Sequence, residues 1–546
     1  MVDVLWIAVI AVTVIAAAAV AGPRLRVPAP LLLLVVGVAV SVLPFVPDVR
    51  VDPDVLLVGV LPPLLFTAST SLPTMDLRRE FSAVSGLSVA LVLLTALVLG
   101  ALLAWLIPGV GFAAGFALGA VISPTDAVAT SIVKRAGVSS RVTSILEGES
   151  LLNDATALVL LRAAIGGIGA TAVFVPGVLW DFVWSVVVAV VIGVLAARVG
   201  QSIRRRITDP AIGTLLSFTL PFLASLPAEA LRASGLVAAV TAGLVVGRRS
   251  ARVISPQQRM SDQQTWRTIS TALEGIVFLL MGLQIRAIVS AVVGDSGDTG
   301  AAWSALGLGA GAVVVTLLVR AGFVVPLLGF LHLQSRRGED MKSRLAGLQD
   351  PQVGDDPMAQ LGSRRSRPLT RAVDVERFRK RLRQGLADID YLLARPLGPR
   401  EGAIVVWAGM RGAVTVAAAQ SLLDVDLDRP ERLVLIAFSA AAVSLVLQGG
   451  TLAAFIRLLH PRGDDPAVVA DERERIRELM RRSVEAVPTE EGEGRVETRM
   501  RQLDAQRTAL LDARDAGVFD SALLSAALET VDSAQITTGL FDETAR

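Results

Sequence analysis

Long apolar runs separated by short polar breaks recur through the first 460 positions of the chain. Most runs hold about 18 or more residues, enough for a helix to cross a hydrocarbon core of about 30 Å. The pattern predicts an all-α polytopic membrane protein with about thirteen transmembrane helices. The predicted spans lie near residues 3–21, 29–46, 55–71, 82–107, 111–133, 142–166, 173–199, 210–226, 234–248, 267–289, 301–331, 402–422 and 433–458.

Composition narrows the class of protein further. Of the 546 residues, 53 % are hydrophobic and 19 % are charged, whereas soluble domains carry roughly a quarter charged residues. The chain has no cysteine, and its two histidines are His332 and His460. No zinc or haem pattern, phosphate-binding Walker motif or pairing of a nucleophile with a base is visible, so we expect no catalytic residues, no cofactor and no metal beyond a transported ion.

Charged residues are segregated along the chain, which the formal net charge of +2 conceals. Lysines and arginines occupy alternate short loops, for example Arg24, Lys134 and Arg204 to Arg206. The positive-inside rule makes these loops cytoplasmic, which puts the N-terminus outside and the C-terminus in the cytoplasm of a plasma (bacterial inner) membrane. Beside a membrane such basic clusters are expected to set topology or face lipid, and no nucleic-acid partner is expected.

Two charged regions fall outside the apolar pattern. We predict a membrane domain over 1–460 that contains a cytosolic insert, 334–400, and a cytosolic charged helical tail over 461–546. In one interpretation, the insert is a solvated linker and the tail is a solvated C-terminal segment. The other gives them a role in regulation or in lipid contact through the basic run 364–383.

Polar residues interrupt the fifth predicted span at S-P-T-D, residues 123–126. Pro124 has no N–H to donate, so the helix is expected to break there and to free carbonyl and N–H groups that can hold an ion. Thr125 adds a hydroxyl and Asp126 adds a carboxylate at the same depth. The alternative is a tolerated proline kink in which Asp126 only caps freed N–H groups.

A second polar run, E-G-E-S-L-L-N-D at 147–154, lies inside the sixth predicted span. At 100° per residue, Ser150, Asn153 and Asp154 share one helix face, and Asp154 lies about 20 Å from the N-terminal end of the span. A carboxylate at this depth can hold a proton and a monovalent cation in turn, with oxygens from the other two residues. A structural hydrogen-bond cluster between helices is the alternative interpretation.

The twelfth predicted span contains G-M-R-G at 409–412 and therefore a buried arginine. Arg411 keeps its charge and needs an anionic partner. Glu149 is predicted as that partner because it lies roughly 140° from the Asp154 face and can point to a neighbouring helix. Arg320 is a second buried cation, and it could serve structure alone.

The fifth and twelfth spans are both interrupted near the predicted midplane. Paired broken helices in the two halves of a chain are typical of secondary transporters built from inverted repeats. We found no convincing residue-level repeat, so the inverted-repeat hypothesis rests on the order of the spans.

Five motifs occur in the order and spacing of one known family. They are L-P-P-L-L-F at 61–66, S-P-T-D-A-V-A at 123–129, E-G-E-S-L-L-N-D-A at 147–155, F-L-L-M-G-L at 278–283 and G-M-R-G-A-V-T-V-A at 409–417. With these motifs the chain resembles the monovalent cation:proton antiporter-1 family over about residues 1–460. That resemblance implies exchange of Na⁺, with K⁺ or Li⁺ as alternatives, for protons, in pH and cation homeostasis.

The resemblance also implies an architecture and roles for the polar residues. It implies a homodimer with a dimerisation domain and a mobile core domain that holds two crossed, broken helices. Asp154 would bind the cation or proton, and Asn153 would support it. Thr125 and Ser150 would each offer an oxygen to the ion, and Asp126 would stabilise the crossed helices. Glu149 would form a structural ion pair with Arg411.

Two features bear on selectivity and stoichiometry. The Asn153–Asp154 pair resembles the electroneutral branch of the family, which exchanges one cation for one proton. Thr67 follows L-P-P-L-L-F where many bacterial members have an acidic residue, so Thr67 and Arg320 are additional candidate positions. A cation channel gated by its cytosolic segments and an ion or pH sensor that transports nothing stay as alternative functions.

Overall fold

Helices make up the regular structure of the part of the chain described here. The computed structural model describes residues 2–25, 27–44, 46, 48–49, 51–168, 175–296, 299–346, 385, 388–389, 391–393, 395–427, 429–488 and 494–545, and within these ranges it contains no strand. The basic run 364–383 lies outside the described residues. The described chain divides into two compact units, Met1–Val325 with Arg400–Gly463, and Pro326–Pro399 with Asp464–Arg546.

Most helices of the membrane region overlap the apolar runs, although the helix Pro256–Leu283 begins before its predicted span and the helix Thr299–Ala346 ends well after its own. Their bounds are α1 (Val2–Leu25), α2 (Ala29–Ser41), α3 (Leu61–Ser71), α4 (Thr74–Arg79), α5 (Phe81–Ser85), α6 (Leu91–Leu106), α7 (Phe112–Ile122), α8 (Val128–Arg135), α9 (Ser140–Gly166), α10 (Val175–Arg204), α11 (Pro210–Ser217), α12 (Leu220–Ala230), α13 (Gly235–Val253), α14 (Pro256–Leu283), α15 (Ile285–Ser296), α16 (Thr299–Ala346), α17 (Pro399–Trp407), α18 (Ala413–Gln420), α19 (Pro430–Ser444) and α20 (Gly450–Leu459). Short π-helical segments, Val55–Val60, Gly86–Ala90 and Leu445–Gly449, continue directly into α3, α6 and α20.

Seven of the described stretches of helix are long and apolar enough to cross a membrane, by length and composition. Three shorter apolar stretches, Ala29–Ser41, Val55–Ser71 and Phe112–Ile122, add to them. The chain is thus an all-helical, multi-pass membrane protein, whereas the total of about thirteen spans stays a prediction. The breaks before α8 and α18 explain part of the difference, because each divides a predicted span into two short helices.

Side-chain caps set the starts of several of these helices. Ser139 accepts a hydrogen bond from the Arg141 N–H at the start of α9. Asp209 and Ser255 cap α11 and α14 in the same way, each followed by a proline in the first turn. These residues fix where the helices begin because they satisfy N–H groups that have no partner within the helix.

Small residues let α6 and α7 approach closely. A Cβ on Gly100 would lie 2.8 Å from the Phe116 Cα, and one on Gly115 would lie 2.6 Å from the Gly100 carbonyl oxygen. Close backbone packing through glycine is common between membrane helices. α7 also packs against α9, α18 and α19, so its C-terminal end is held in the middle of the helices that carry the polar motifs.

The second unit contains three further helices, α21 (Pro466–Glu485), α22 (Arg495–Ala516) and α23 (Ser521–Ala545). α22 packs against both of its neighbours. Their buried apolar side chains include Ile476, Leu503, Leu510 and Leu528. The region after 460 therefore has an apolar interior of its own. The membrane domain over 1–460 with its cytosolic insert 334–400, and the tail over 461–546, stay predictions.

Arg395 is a buried cation in the second unit. Its Nε lies 3.1 Å from Asp464 Oδ1, and its Nη2 lies 3.2 Å from Asp520 Oδ2 and 3.7 Å from Glu472 Oε2. Burial acts to lower the pKa of Arg395, but these carboxylates more than offset it, so the pKa lies above its ordinary value. The guanidinium therefore ties the segment before α17 to the helices that follow residue 463.

Candidate functional site

The first helix break lies where the sequence places Pro124. α7 ends at Ile122 and α8 begins at Val128. Pro124 cannot donate an N–H to continue the helix. On the far side of the break, Asp126 Oδ1 accepts a hydrogen bond from the Val128 N–H at 3.0 Å, so its carboxylate caps the first turn of α8.

The second break separates α17, which ends at Trp407, from α18, which begins at Ala413. The Met410 N–H turns back to the Ala408 carbonyl at 2.8 Å. Gly409 and Gly412 leave room for close neighbours here: a Cβ on Gly409 would lie 2.6 Å from Arg320 Nε. The break therefore lets charged side chains reach the backbone.

The two breaks cross and satisfy each other's freed backbone groups. The Asp126 N–H donates to the Met410 carbonyl at 2.7 Å. In the opposite direction, Arg411 Nε donates to the Ile122 carbonyl at 3.0 Å. Unwound backbone is tolerated at membrane depth only where such partners exist or where it lines a cavity, and here each break supplies the partners of the other.

A chain of hydrogen bonds joins α9 to the first break. Asn153 Nδ2 donates to Thr125 Oγ1 at 2.7 Å, and Thr125 Oγ1 donates to Glu149 Oε1 at 3.2 Å. All three side chains are buried. Thr125 thus occupies the centre of a network that fixes the register of α9 against the break.

The partner of Glu149 is Arg320, and the predicted ion pair of Glu149 with Arg411 is wrong. Arg320 Nη2 donates to Glu149 Oε2 at 2.7 Å, and Arg320 Nη1 donates to Glu149 Oε1. Both side chains are almost completely buried. The fork of the guanidinium faces both carboxylate oxygens, the geometry in which arginine binds a carboxylate most strongly.

Arg411 is held by backbone oxygens instead of a carboxylate. Besides Ile122, it donates through Nη1 to the Gly409 carbonyl, and its own N–H donates to Ser444 Oγ at 2.9 Å. Carbonyls freed by the two breaks carry partial negative charge, because they lack partners within a helix. These carbonyls bind Arg411 in place of the predicted carboxylate, and Glu149 pairs with Arg320.

Asp154 differs from the other buried acidic residues of the site. Its side chain is 9 % exposed, and no hydrogen bond or ion pair of its carboxylate is found among the described residues. The nearby Asp126 carboxylate repels it. The neighbouring Asn153 Oδ1 is buried and also lacks a hydrogen-bond partner in the described chain. An unpaired carboxylate and an unpaired amide oxygen are suitable ligands for a hard monovalent cation or a proton.

Two further sequence candidates bond within their own helices. Ser150 Oγ donates to the Glu147 carbonyl at 3.3 Å, and Thr67 Oγ1 donates to the Pro63 carbonyl at 2.9 Å. Ser150 lies on the Asp154 face of α9 by helix geometry. Thr67 lies on α3, and its role in ion binding stays a prediction.

The sequence marks Glu274 as a carboxylate towards the cytoplasmic end of its own span and leaves open whether it serves structure alone. Glu274 lies on α14, with an exposed side chain, and its charge repels Asp126. A lone carboxylate inside an apolar run was the available signal. Within the described residues, no cluster of three or more His, Cys, Asp or Glu side chains could hold a resident metal ion.

The close approach of the breaks makes Gly412 sensitive to substitution. A Cβ on Gly412 would collide with the Asp126 carboxylate, and overpacking of this kind costs about 1–3 kcal/mol. We expect Gly412→Ala to lower the unfolding temperature of the detergent-purified protein. Gly450→Ala is the matched control, because a Cβ there meets nothing within 4 Å. Equal unfolding temperatures for the two variants would contradict the packing of Gly412 against Asp126.

Comparison with known proteins adds independent findings. Residues 9–345 match the family model described as sodium/hydrogen exchanger, transmembrane. The chain is 35 % identical to an uncharacterised Na⁺/H⁺ exchanger of Escherichia coli, over 48 % of this chain and 50 % of that protein. It is 30 % identical to a sodium, potassium, lithium and rubidium/H⁺ antiporter of Bacillus subtilis, over 50 % of this chain and 42 % of that protein.

Other matches cover more of the chain. An uncharacterised Na⁺/H⁺ exchanger of Mycobacterium tuberculosis is 27 % identical over 80 % of this chain and 71 % of its own length. The solved structure of a sodium proton antiporter from Methanocaldococcus jannaschii superposes with a TM-score of 0.57 at 16 % identity. That match covers 82 % of this chain and 97 % of the archaeal chain. It shows a shared fold.

Proposed function

The chain belongs to the transmembrane sodium/hydrogen exchanger family, and on that premise we propose that it exchanges monovalent cations for protons across a membrane. The observation that carries the proposal is the unpaired Asp154 carboxylate beside the crossed breaks, with the unpartnered Asn153 oxygen next to it. The chain spans about half the length of the Escherichia coli relative it matches.

Competition between a proton and a cation for one carboxylate couples the transport of the two ions. Asp154 holds either a proton or a cation, so loading of one ion requires release of the other. Asn153 Oδ1 contributes a neutral oxygen to the bound cation. The Thr125 network and the Glu149–Arg320 pair hold the position of α9 throughout. Exposure of the site to each side of the membrane in turn then converts competition into exchange.

The transported ions are proposed to be Na⁺, with K⁺ or Li⁺ as alternatives. Asp154 is the carboxylate that exchanges its load, and exchange of one proton for one cation at that group is electroneutral. The Bacillus subtilis relative, whose name includes potassium and lithium, supports a test of several cations. Thr67, at a position where the family resemblance implies an acidic residue in many bacterial members, is the position whose substitution we expect to change cation preference.

The setting of the protein in the cell is also proposed. We infer a homodimer in a plasma (bacterial inner) membrane, with its N-terminus outside, its C-terminus in the cytoplasm and a role in pH and cation homeostasis. The arginine-rich and lysine-rich loops support this orientation.

Exchange can be measured in proteoliposomes with an acidic interior, a trapped pH dye and a clamped membrane potential. External NaCl, and then KCl or LiCl, is added. Cation-dependent alkalinisation that survives the clamp is expected, since each cation that enters releases a proton outward. Cation current without opposite proton movement would favour a channel, and ion binding without movement of either ion would favour a sensor. Either result would overturn the proposed exchange.

A further inference from the structure

One face of α9 carries a second carboxylate in line with Asp154. Glu147, Ser150 and Asp154 lie at positions i, i+3 and i+7, which superimpose on one side of a helix. At 1.5 Å per residue, Glu147 lies about 10 Å from Asp154 towards the N-terminal end of α9. Ser150 lies between the two acidic residues along the helix, and its hydroxyl donates to the Glu147 backbone carbonyl.

Glu147 is held far more loosely than its neighbour Glu149. The Glu147 side chain is 30 % exposed, and its ion-pair partner is Lys134 at 3.7 Å, whose side chain is 72 % exposed. Glu149, by contrast, is almost completely buried and bound through both oxygens by Arg320. Burial and a bidentate partner make Glu149 structural, whereas Glu147 can change partners.

The position of Lys134 connects this pair to the crossed breaks. Lys134 lies in the last turn of α8, and the first turn of the same helix is capped by Asp126. Lys134 also belongs to a basic loop that the positive-inside rule places in the cytoplasm. The Glu147–Lys134 pair therefore lies on the cytoplasmic side of Asp154, at the partly exposed end of the face that leads to it.

We propose that Glu147 captures the cytosolic monovalent cation before it reaches Asp154, and that the Lys134 ammonium is a tethered cation that competes for the same carboxylate. This inference rests on the proposed exchange and names an entry site for it. The pair is long, at 3.7 Å, and its Lys134 partner is mostly exposed. Such a pair contributes little free energy, so an incoming ion can displace the ammonium group. Glu147 is also a partly exposed carboxylate, and its negative charge raises the local concentration of cations at this end of α9.

The two partners are expected to act in opposite directions. In everted membrane vesicles, whose cytoplasmic face is outward, Glu147→Gln should raise the apparent KM for Na⁺ roughly two- to five-fold, a factor on the scale of one exposed ion pair. Lys134→Gln should lower the apparent KM by a similar factor, because the competing ammonium is gone. The maximal rate should change little, since Asp154 is untouched in both variants.

A merely structural ion pair predicts a different result. Loss of either partner would then reduce the amount of folded protein and leave the apparent KM equal in both variants. Glu229→Gln is the matched control: Glu229 is equally exposed, at 30 %, and pairs at 2.9 Å with Arg162, towards the other end of α9. We expect its apparent KM on the cytoplasmic side to equal that of the unaltered protein.

The experiment separates failure of the inference from failure of the proposed exchange. If the unaltered protein exchanges but neither Glu147→Gln nor Lys134→Gln shifts the apparent KM, the entry site is wrong. A shift of the same sign in both variants would also overturn it. Absence of exchange in the unaltered protein would instead overturn the proposed function. Lys134 is mostly solvent-exposed, so we expect its variant to fold, and the yield of folded protein is measured alongside the apparent KM.

Discussion

Asp154→Asn is expected to abolish cation-dependent proton movement and to leave the protein folded. The amide has the shape of the carboxylate but cannot hold a proton and a cation in turn. In the proteoliposome assay the variant should match empty liposomes with NaCl, KCl and LiCl. The Asp154 carboxylate makes no hydrogen bond or ion pair with the residues that the structure describes, so its loss removes no contact that holds the helices together.

Two measurements complete this test. Size-exclusion chromatography and thermal unfolding of Asp154→Asn should match those of the unaltered protein. Asp424→Asn is the matched control, because Asp424 is exposed on a short 3-10 segment after α18 and its variant should exchange normally. Normal exchange in Asp154→Asn would contradict competition at this carboxylate.

Arg320→Leu is expected to have the largest effect on stability. It would leave the Glu149 carboxylate buried without its bidentate partner. Removal of one member of a buried ion pair typically costs about 3–5 kcal/mol. The free energy of unfolding, or the unfolding temperature in detergent where unfolding is irreversible, measures this effect. Arg286→Leu, at a half-exposed pair with Asp48, should cost about 1 kcal/mol or less.

A double-mutant cycle tests the identity of the partner directly. The double variant Glu149→Leu, Arg320→Leu should be more stable than either single variant, because no unpaired charge remains buried. Combination of Glu149→Leu with Arg411→Leu should show a smaller coupling, since Arg411 bonds to carbonyls of Ile122 and Gly409. Stronger coupling of Glu149 to Arg411 than to Arg320 would contradict the arrangement described here.

The sequence predicted those parts of the site that depend on local chemistry. The break at Pro124 follows from a missing N–H, and the break at 409–412 follows from two glycines around an arginine. The helical face of Asp154 follows from the periodicity of α9 alone. The all-helical fold follows from the apolar runs, and the fold match to a solved antiporter confirms this class.

The choice of ion-pair partner needed the tertiary structure. Periodicity showed that Glu149 points away from the Asp154 face, but both Arg320 and Arg411 were available on other helices. Sequence spacing does not show that carbonyls of a second broken helix can satisfy an arginine, as Ile122 does for Arg411. The π-helical segments, such as Val55–Val60, likewise have no distinct local pattern of apolar residues.

The carboxylates around Arg395 have a consequence for deletion experiments. A chain cut after Gly463 would lose Asp464, Glu472 and Asp520 together, and with them three contacts of this buried guanidinium. The damage would extend to the segment that leads into α17, far upstream of the cut. The effect of such a truncation would combine loss of the tail with loss of the contacts of Arg395. Point substitutions on the outer surface of α21 to α23 therefore test the role of the tail more directly.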